Sequence, residues 1–568
     1  MDVTSWNGTS LALHPGLILI AAACLLAPLR GTARKAVALA APLAALYLAW
    51  KVPDGAAATV RFLDFELAPL AGDRLSRLFA VIFAIMAFGG ALFALNQKHP
   101  LELPAALFYA GAAIGVALAG DLITVFVFWE LMALGSTLVI WSAGTPAAYR
   151  ASLRYIMIHL LGGVLLMAGI AGHVVETGSI AFERLAADSV AHWLILTGFL
   201  VSAGAPPLSA WLPDAYPEAS WSGMVFLSAF TTKAAVYVLL RGFPGTEILV
   251  YVGLFMVFYG IVYALLENDM RRILAYSIVN QVGFMVTGVG LGTEMALNGA
   301  ASHAFTHIIY KALLLMSAGS VLLMTGKRKC TDLGGLFQSM PLTAWCGIIG
   351  ALSISSFPLT SGFVSKSMIS QSAADSHLLT VWLLLAAASA GVFLHAGIKF
   401  PWFVFFQKDS GLRPPDPPSN MRLAMLFFSA LCIGLGIYPD PLYAMLPYPV
   451  EFVPYTGAHV VTQLQLLFFS GLAFFVLLDF LRRTLTITLD VDWLYRIFGG
   501  WLVGATLQCL ARLGFDGERR LRQGVSAAWR VLERHHGPES VLARTWPTGS
   551  MALWVMILLL AYLVFYYL

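Results

Sequence analysis

Apolar runs of about 20 residues, each long enough to cross a bilayer as a helix, recur sixteen times along this 568-residue chain. They fall at about 13–30, 34–50, 76–95, 104–120, 122–141, 151–174, 190–208, 223–241, 247–266, 272–292, 298–325, 341–370, 377–406, 421–440, 461–480 and 550–567. Lipid offers no hydrogen bonds, so a chain that spans it this often must satisfy its backbone internally, as helices do. Only 11% of residues are charged, where a soluble chain carries about 25%. The fold class expected is therefore an all-α polytopic membrane protein of about sixteen transmembrane helices. A formal net charge of +4 gives no reason to expect nucleic acid. The five cysteines (Cys24, Cys330, Cys346, Cys432, Cys509) lack metal spacing and are expected to be small, mostly buried hydrophobes. No basic stretch precedes the first apolar run, which reads as a retained helix and not as a cleaved signal.

Basic residues cluster in alternate loops: Arg30, Arg34 and Lys35; Lys98; Arg150 and Arg154; Arg271 and Arg272; Lys327, Arg328 and Lys329; Lys408 and Arg413; Arg482 and Arg483. The other loops hold few, chiefly Lys51, Arg61, Arg184 and Arg241. By the positive-inside rule the basic loops are cytoplasmic and the N-terminus periplasmic, which suits a bacterial inner membrane. The more polar stretch 52–75 contains "TVRFLDFELAPLAGD", expected to form a short hairpin.

Two spans read as broken. The seventh runs into "AGAPPLSAWLPDAY" with Pro206, Pro207 and Pro213, and the twelfth carries "SISSFPLTSGFVSK" with Pro358 and Gly362. A break in lipid leaves backbone groups unpaired unless they face protein or a wet cavity, and paired breaks in two halves mark ion pathways in transporters. Residues 485–549 are less apolar, with Arg496, Arg512, Arg519, Arg520, Arg522, Arg530 and Arg534. They read as an amphipathic lateral segment on the cytoplasmic surface, broken near Gly499, Gly500, Gly514 and Gly517 and anchored by the last span.

Ionisable side chains in mid-span need a reason, because each costs about 2.5–3.5 kcal/mol to insert. Glu130 sits in "VFVFWELMALGS" and Lys233 in "FLSAFTTKAAVYVLL". In the eleventh span, "SHAFTHIIYKALLLM" spaces His303, His307 and Lys311 at i, i+4 and i+8, one slowly winding stripe. Three full charges there would repel strongly in a low dielectric, so the groups are expected to share protons, as relay groups do. Lys366 follows the break of the twelfth span. His159 reads equally as an accessory relay group or a packed imidazole. Lys399 reads first as a snorkelling cation near a helix end. Glu267, Asp269, Arg271 and Arg272 sit at helix ends, where their main role is topological. No phosphate loop, dinucleotide fingerprint or Cys/His metal spacing occurs, so neither a cofactor nor a catalytic site of the chain's own is expected.

In order along the chain, "FVFWELM", "WLPDAYPEA", "TTKAAVYVLLR", "NDMRRILAYSIVNQVGFM", "HAFTHIIYKALLLM" and "GFVSKSMI" resemble the antiporter-like proton-channel subunits. This family includes the large membrane-arm subunits of respiratory complex I, Mrp-type sodium/proton antiporter subunits and related hydrogenase subunits. The resemblance covers roughly residues 70–480, and "WLPDAYPEASWSGMVFLSAFTTK" is most similar to the D-type subunits of Mrp antiporters. "DVDWLYR" (490–496), with the segment and span after it, is similar to the extended C-terminus of the longest members.

The resemblance implies two inverted five-helix repeats, spans 4–8 (101–245) and 9–13 (246–410). Around them lie spans 1–3 (1–100), spans 14 and 15 (411–484), the lateral segment (485–549) and an anchor (550–568). It implies a proton relay through Glu130, Lys233, His303, His307, Lys311 and Lys366, with His159, Lys399 and Ser202 as accessories. It also implies a lysine in the seventh span, nine residues before Trp211, to partner Glu130. Ser202 stands there, and no lysine occurs between Lys98 and Lys233. Glu130 is then left to pair with Lys233, with water or with another subunit. The expected function is proton translocation within a multi-subunit, Mrp-like sodium/proton antiporter, with other membrane subunits as partners. The alternatives are a proton-pumping subunit of a complex I-like or hydrogenase-like redox assembly, and an energy-coupling subunit for uptake of a solute such as inorganic carbon.

Overall fold

The computed structural model describes residues 14–479, 490, 491, 493–536 and 548–567. Arg482, Arg483, Asp492, the start of the first span and both ends of the lateral segment lie outside them. Among the described residues, 12 helices are long and apolar enough to cross a membrane, and shorter apolar helices accompany them. The chain forms two compact units, 1–492 and 493–568.

The first unit begins with α1 (Pro15–Leu26) and α2 (Gly31–Lys51), followed by the antiparallel strands β1 (Gly55–Phe62) and β2 (Phe65–Gly72). The predicted hairpin is therefore present. Next come α3 (Arg74–Ala94), α4 (Glu102–Leu118), α5 (Leu122–Trp141), α6 (Pro146–Thr177) and α7 (Val190–Ala203). Side-chain caps mark several starts: Asp73 accepts from the Ser76 N–H, Asp121 from Thr124, and Thr145 from Ala148.

The seventh span ends at Gly204, whose φ of +78° is open to glycine at no steric cost. The short α8 (Trp211–Ala215) follows. The eighth span is also broken, which its sequence, without a proline from Gly223 to Gly242, does not reveal: α9 (Gly223–Leu227) stops, and α10 (Thr231–Gly242) restarts two residues before Lys233. Then come α11 (Ile248–Leu266), α12 (Met270–Leu291) and α13 (Glu294–Thr325), with α11 against α12 at glycine contact: a Cβ on Gly283 would lie 2.6 Å from the Gly253 carbonyl.

The twelfth span divides into α14 (Pro341–Ile354) and α15 (Phe363–Asp375). At the break a Cβ on Gly362 would run into the Ser353 carbonyl, so only glycine fits. The thirteenth span starts as α16 (Leu379–Val392) and widens into π-helix at Phe393–Lys399 and Trp402–Phe406. Pro401 explains the widening, because it has no N–H for the ladder and its ring crowds the carbonyl one turn back. The unit closes with α17 (Ser419–Ile437), α18 (Asp440–Tyr443) and α19 (Gly457–Val476).

The polarity of this unit is inverted relative to a soluble protein. Trp345, Phe468 and Leu472 are exposed on its outside, while Lys233, His303, His307 and Lys311 are 0% exposed. Helices α10, α12 and α13 are enclosed by the others. Cys330, Cys346 and Cys432 are buried as expected, but Cys24 and Cys509 are exposed.

In the second unit, α20 (Gly500–His536) is one uninterrupted helix of 37 residues, preceded by a π turn at Leu494–Gly499. The breaks expected at Gly514 and Gly517 do not occur. A helical glycine costs only about 1 kcal/mol, and a helix of this length absorbs it. Leu521, Val525, Trp529 and Leu532 share one face of α20. The last helix, α21 (Thr548–Tyr567), is apolar all round.

Candidate functional site

The second half of the expected relay is assembled around α13. His303, His307 and Lys311 occupy one face of this helix, as their spacing requires. His303 is held at both ring nitrogens. Nε2 lies 3.0 Å from Gln281 Oε1 on α12, and Nδ1 lies 3.3 Å from Ser365 Oγ on α15. Tyr310 donates to the same Gln281 oxygen at 3.2 Å. Lys311 Nζ donates to Ser277 Oγ at 2.9 Å and to the Leu274 carbonyl.

Two groups of this half have no hydrogen-bond partner among the described residues. Both ring nitrogens of His307 are buried and unpaired, and so is Lys366 Nζ, which stands 4.8 Å over the Phe284 ring. The helix that carries Lys233, α10, packs against α13, and Ser365, the neighbour of Lys366, contacts His303. Lys233 thus connects to the stripe, and Lys366 extends it. Lys233 itself donates to the Ser228 carbonyl at 2.7 Å and to Thr232 Oγ1 at 3.1 Å. The break between α9 and α10 frees that carbonyl, and a lysine two residues after the restart satisfies it. None of these lysines has an ion-pair partner among the described residues.

In the first half, Glu130 lacks one of the three partners expected for it. Glu130 and Lys233 do not pair. Glu130 turns toward α6, where its Oε1 fills the space that a Cβ on Gly163 would take, and that buried oxygen has no partner. One turn earlier on α6, His159 Nδ1 lies 3.2 Å from Ser202 Oγ, with the ring against Tyr155 and Trp211 and Nε2 unpartnered. His159 and Ser202, both named as accessories, are therefore in contact with each other. Lys399 does not snorkel outward. Its Nζ is buried and donates to the carbonyls of Ala264, Leu265 and Glu267, capping the C-terminus of α11.

Several polar groups escaped the sequence reading. Tyr109 and Tyr155 converge on Thr231 Oγ1 at 2.6 and 3.3 Å, and Tyr155 donates to Ser136 at 2.9 Å. This hydroxyl cluster ties α4, α5 and α6 to the start of α10. Glu102 is fully buried and accepts from Gln97, Ser142 and Ser222. It sits at a helix start, where an acidic residue reads as a cap. Asp214 of "WLPDAY" takes two hydrogen bonds from Arg154, at 2.7 and 2.8 Å. At the basic ends of α12 and α13, Arg272 pairs with Glu267 and Arg328 with Glu218 and Asp269. The signal for all of these is tertiary, apart from the i, i+5 spacing of Glu267 and Arg272.

Residues 119–392 match the family described as NADH:quinone oxidoreductase/Mrp antiporter, TM. The chain belongs to this family. The match begins just before the cap of α5 and ends with α16, so it takes in Glu130, Lys233, the α13 stripe and Lys366. The D subunit of the Na(+)/H(+) antiporter of Alkalihalophilus pseudofirmus is 29% identical over 433 residues, covering 71% of this chain and 87% of that relative. An uncharacterized protein of Mycobacterium tuberculosis is 30% identical over 454 residues, covering 70% of this chain and 71% of that relative. Among solved structures, a chain of an archaeal respiratory membrane complex, the membrane-bound sulfane sulfur reductase, superposes with a TM-score of 0.71 at 24% identity. That superposition covers 96% of this chain and 99% of the other, so the fold is shared almost end to end.

Proposed function

We propose that this chain is a proton-translocating subunit of a multi-subunit, Mrp-like sodium/proton antiporter in a bacterial inner membrane. The observation that carries this reading is the enclosed row of Lys233, His303, His307, Lys311 and Lys366. It is fully buried, has no ion-pair partner among the described residues, and includes unpaired nitrogens on His307 and Lys366. A buried row of basic groups with no anion to fix their charge exchanges protons far more readily than it holds them. A change in the charge of one lysine alters the field at the next, which couples proton movement to uptake or release of a partner cation.

In this reading the sixteen spans form two inverted five-helix repeats, 101–245 and 246–410, each built around a broken helix. The basic loops face the cytoplasm, and 485–549 is an amphipathic lateral segment on the cytoplasmic surface, anchored by 550–568. The second half carries the main proton route. In the first half Glu130 and His159 serve together, with Ser202 positioning the imidazole where relatives are expected to use a lysine.

The test is coupled transport by the whole complex in inverted membrane vesicles. Lys366→Ala and His307→Ala should each abolish cation-driven proton movement while the complex still assembles. Normal transport by both variants would overturn the reading. A redox-driven role is the second reading, favoured by the fold match to a respiratory complex over 96% of the chain. The co-purifying subunits decide between them, since a redox assembly brings iron–sulfur proteins.

A further inference from the structure

The thirteenth span holds a buried imidazole that the relay described above does not use. His395 lies in the π-helical turn Phe393–Lys399 and is 0% exposed. Its Nδ1 is 2.8 Å from the Gly391 carbonyl one turn back. A carbonyl can only accept, so Nδ1 donates, and in the neutral ring the lone pair is on Nε2. Nε2 is buried and has no partner among the described residues. The backbone thus fixes the tautomer and leaves a free base inside the bundle.

Its surroundings supply the exchange partner. Three cations stand on the elements around it: Lys399 on the same turn, Lys311 on Leu274 and Ser277 of α12, which the π turn packs against, and Lys366 beyond the break of the twelfth span. Lys399, one turn further along, is committed to three carbonyls at the end of α11 and serves as a fixed positive post. The π turn also abuts the break that precedes Lys366, since a Cβ on Gly397 would lie 2.5 Å from Ser355 Oγ. A π turn displaces its side chains from α-helical register, and such turns recur at functional sites. Here Pro401 enforces the widening, and His395 is the titratable residue it presents among three cations.

We infer that His395 is a further proton-carrying residue, linking the α13 stripe to the end of the bundle where Lys399, Glu267 and Arg272 meet. The step moves one proton from the Lys311 ammonium, by way of water between the two groups, to His395 Nε2, leaving a neutral amine and an imidazolium. The imidazolium then loses that same proton to water on the Lys399 side, while Nδ1–H stays on the Gly391 carbonyl throughout. The fixed charge of Lys399 disfavours a long-lived imidazolium and so speeds its release.

This inference rests on the proposed proton-translocating role, and the test separates the two. His395→Asn keeps an N–H donor at the position of Nδ1 but lacks the Nε2 base; His395→Gln lacks the base and shifts the donor. Both are compared with wild type and Lys366→Ala in intact complex in inverted vesicles, reading assembly and cation-driven proton flux. The expected result is normal assembly, with flux lowered about 10²-fold in both His395 variants, the lower end of what a positioned proton carrier contributes. Wild-type flux in both, with Lys366→Ala inactive, overturns the inference and leaves the proposed function standing. Wild-type flux in all three overturns the proposed function as well. Loss of assembly in both His395 variants overturns the inference in favour of a packing role.

Discussion

His159 Nδ1 lies 3.2 Å from Ser202 Oγ, across an interface where α6 and α7 touch glycine to glycine. A Cβ on Gly198 would lie 2.9 Å from the Gly162 carbonyl, so the two helices meet at backbone distance beside the pair. That closeness lets an imidazole from α6 occupy the neighbourhood where the family resemblance implies an amine from α7. His159→Gln should therefore lower coupled proton flux about 10-fold or more. Adding Ser202→Lys to that variant should restore part of the loss by returning a cation to α7. Full flux in His159→Gln, read in inverted vesicles with assembled complex, would show that His159 only packs.

Glu130 and Gly163 give a second prediction. Gly163→Ala puts a methyl group where the carboxylate Oε1 now rests, so the acid must swing away. Flux should fall several-fold with normal assembly, and Glu130→Gln should do the same. If Gly163 matters only through Glu130, the double variant should be no worse than Glu130→Gln alone, because coupled sites are not additive. Independent, multiplying losses would refute that link.

Lys233 and the Ser228 carbonyl give a third. Lys233→Met keeps the stem but removes the donor to a carbonyl that the α9–α10 break has freed. The buried acceptor left behind should cost about 1–3 kcal/mol of stability, and proton flux should fall by about 10²-fold. Thermal unfolding of the purified complex and vesicle flux measure the two effects separately. A variant with reduced stability but full flux would make Lys233 a purely structural pin.

Asp73 and Arg241 provide a pH test away from the relay. Burial alone would raise the Asp73 carboxyl, but the Arg241 guanidinium and the Ser76 N–H outweigh it and hold the group below its ordinary value. A carboxyl depressed in the folded state stabilises above the unfolded range, about pH 3.9, and loses that contribution as pH falls through its lower folded value. With the Asp73 side chain 46% exposed, Asp73→Asn should cost about 0.5–1 kcal/mol near neutral pH. The difference in Tm between wild type and Asp73→Asn should shrink as pH falls below about 4. A difference that grows on acidification would mean that the Asp73 carboxyl is not held below its ordinary value.

Hydropathy and spacing made much of this legible. The i, i+4, i+8 spacing of His303, His307 and Lys311 does put them on one enclosed face, since helical geometry needs no knowledge of neighbours. Pro206–Pro207 and Pro358 mark real breaks, because proline acts on its own backbone. The break before Lys233 is not legible: "GMVFLSAFTTK" contains no proline, and the carbonyl that the break frees is met by a side chain five residues away. The long α20 went the other way, with glycines that suggest breaks tolerated inside one helix.

The order of amino acids alone places this chain in a membrane, shows roughly where its helices run, and picks out the ionisable side chains enclosed within them. These follow from local properties: the cost of charge in lipid, the helical period and proline geometry. Which residue meets which is a matter of the folded bundle. Glu130 faces Gly163 and not Lys233, Ser202 holds His159, and Lys399 caps α11. The lone pair of His395 stays free at Nε2. Each of these pairings depends on how closely two helices approach, and that is set by packing across the whole bundle.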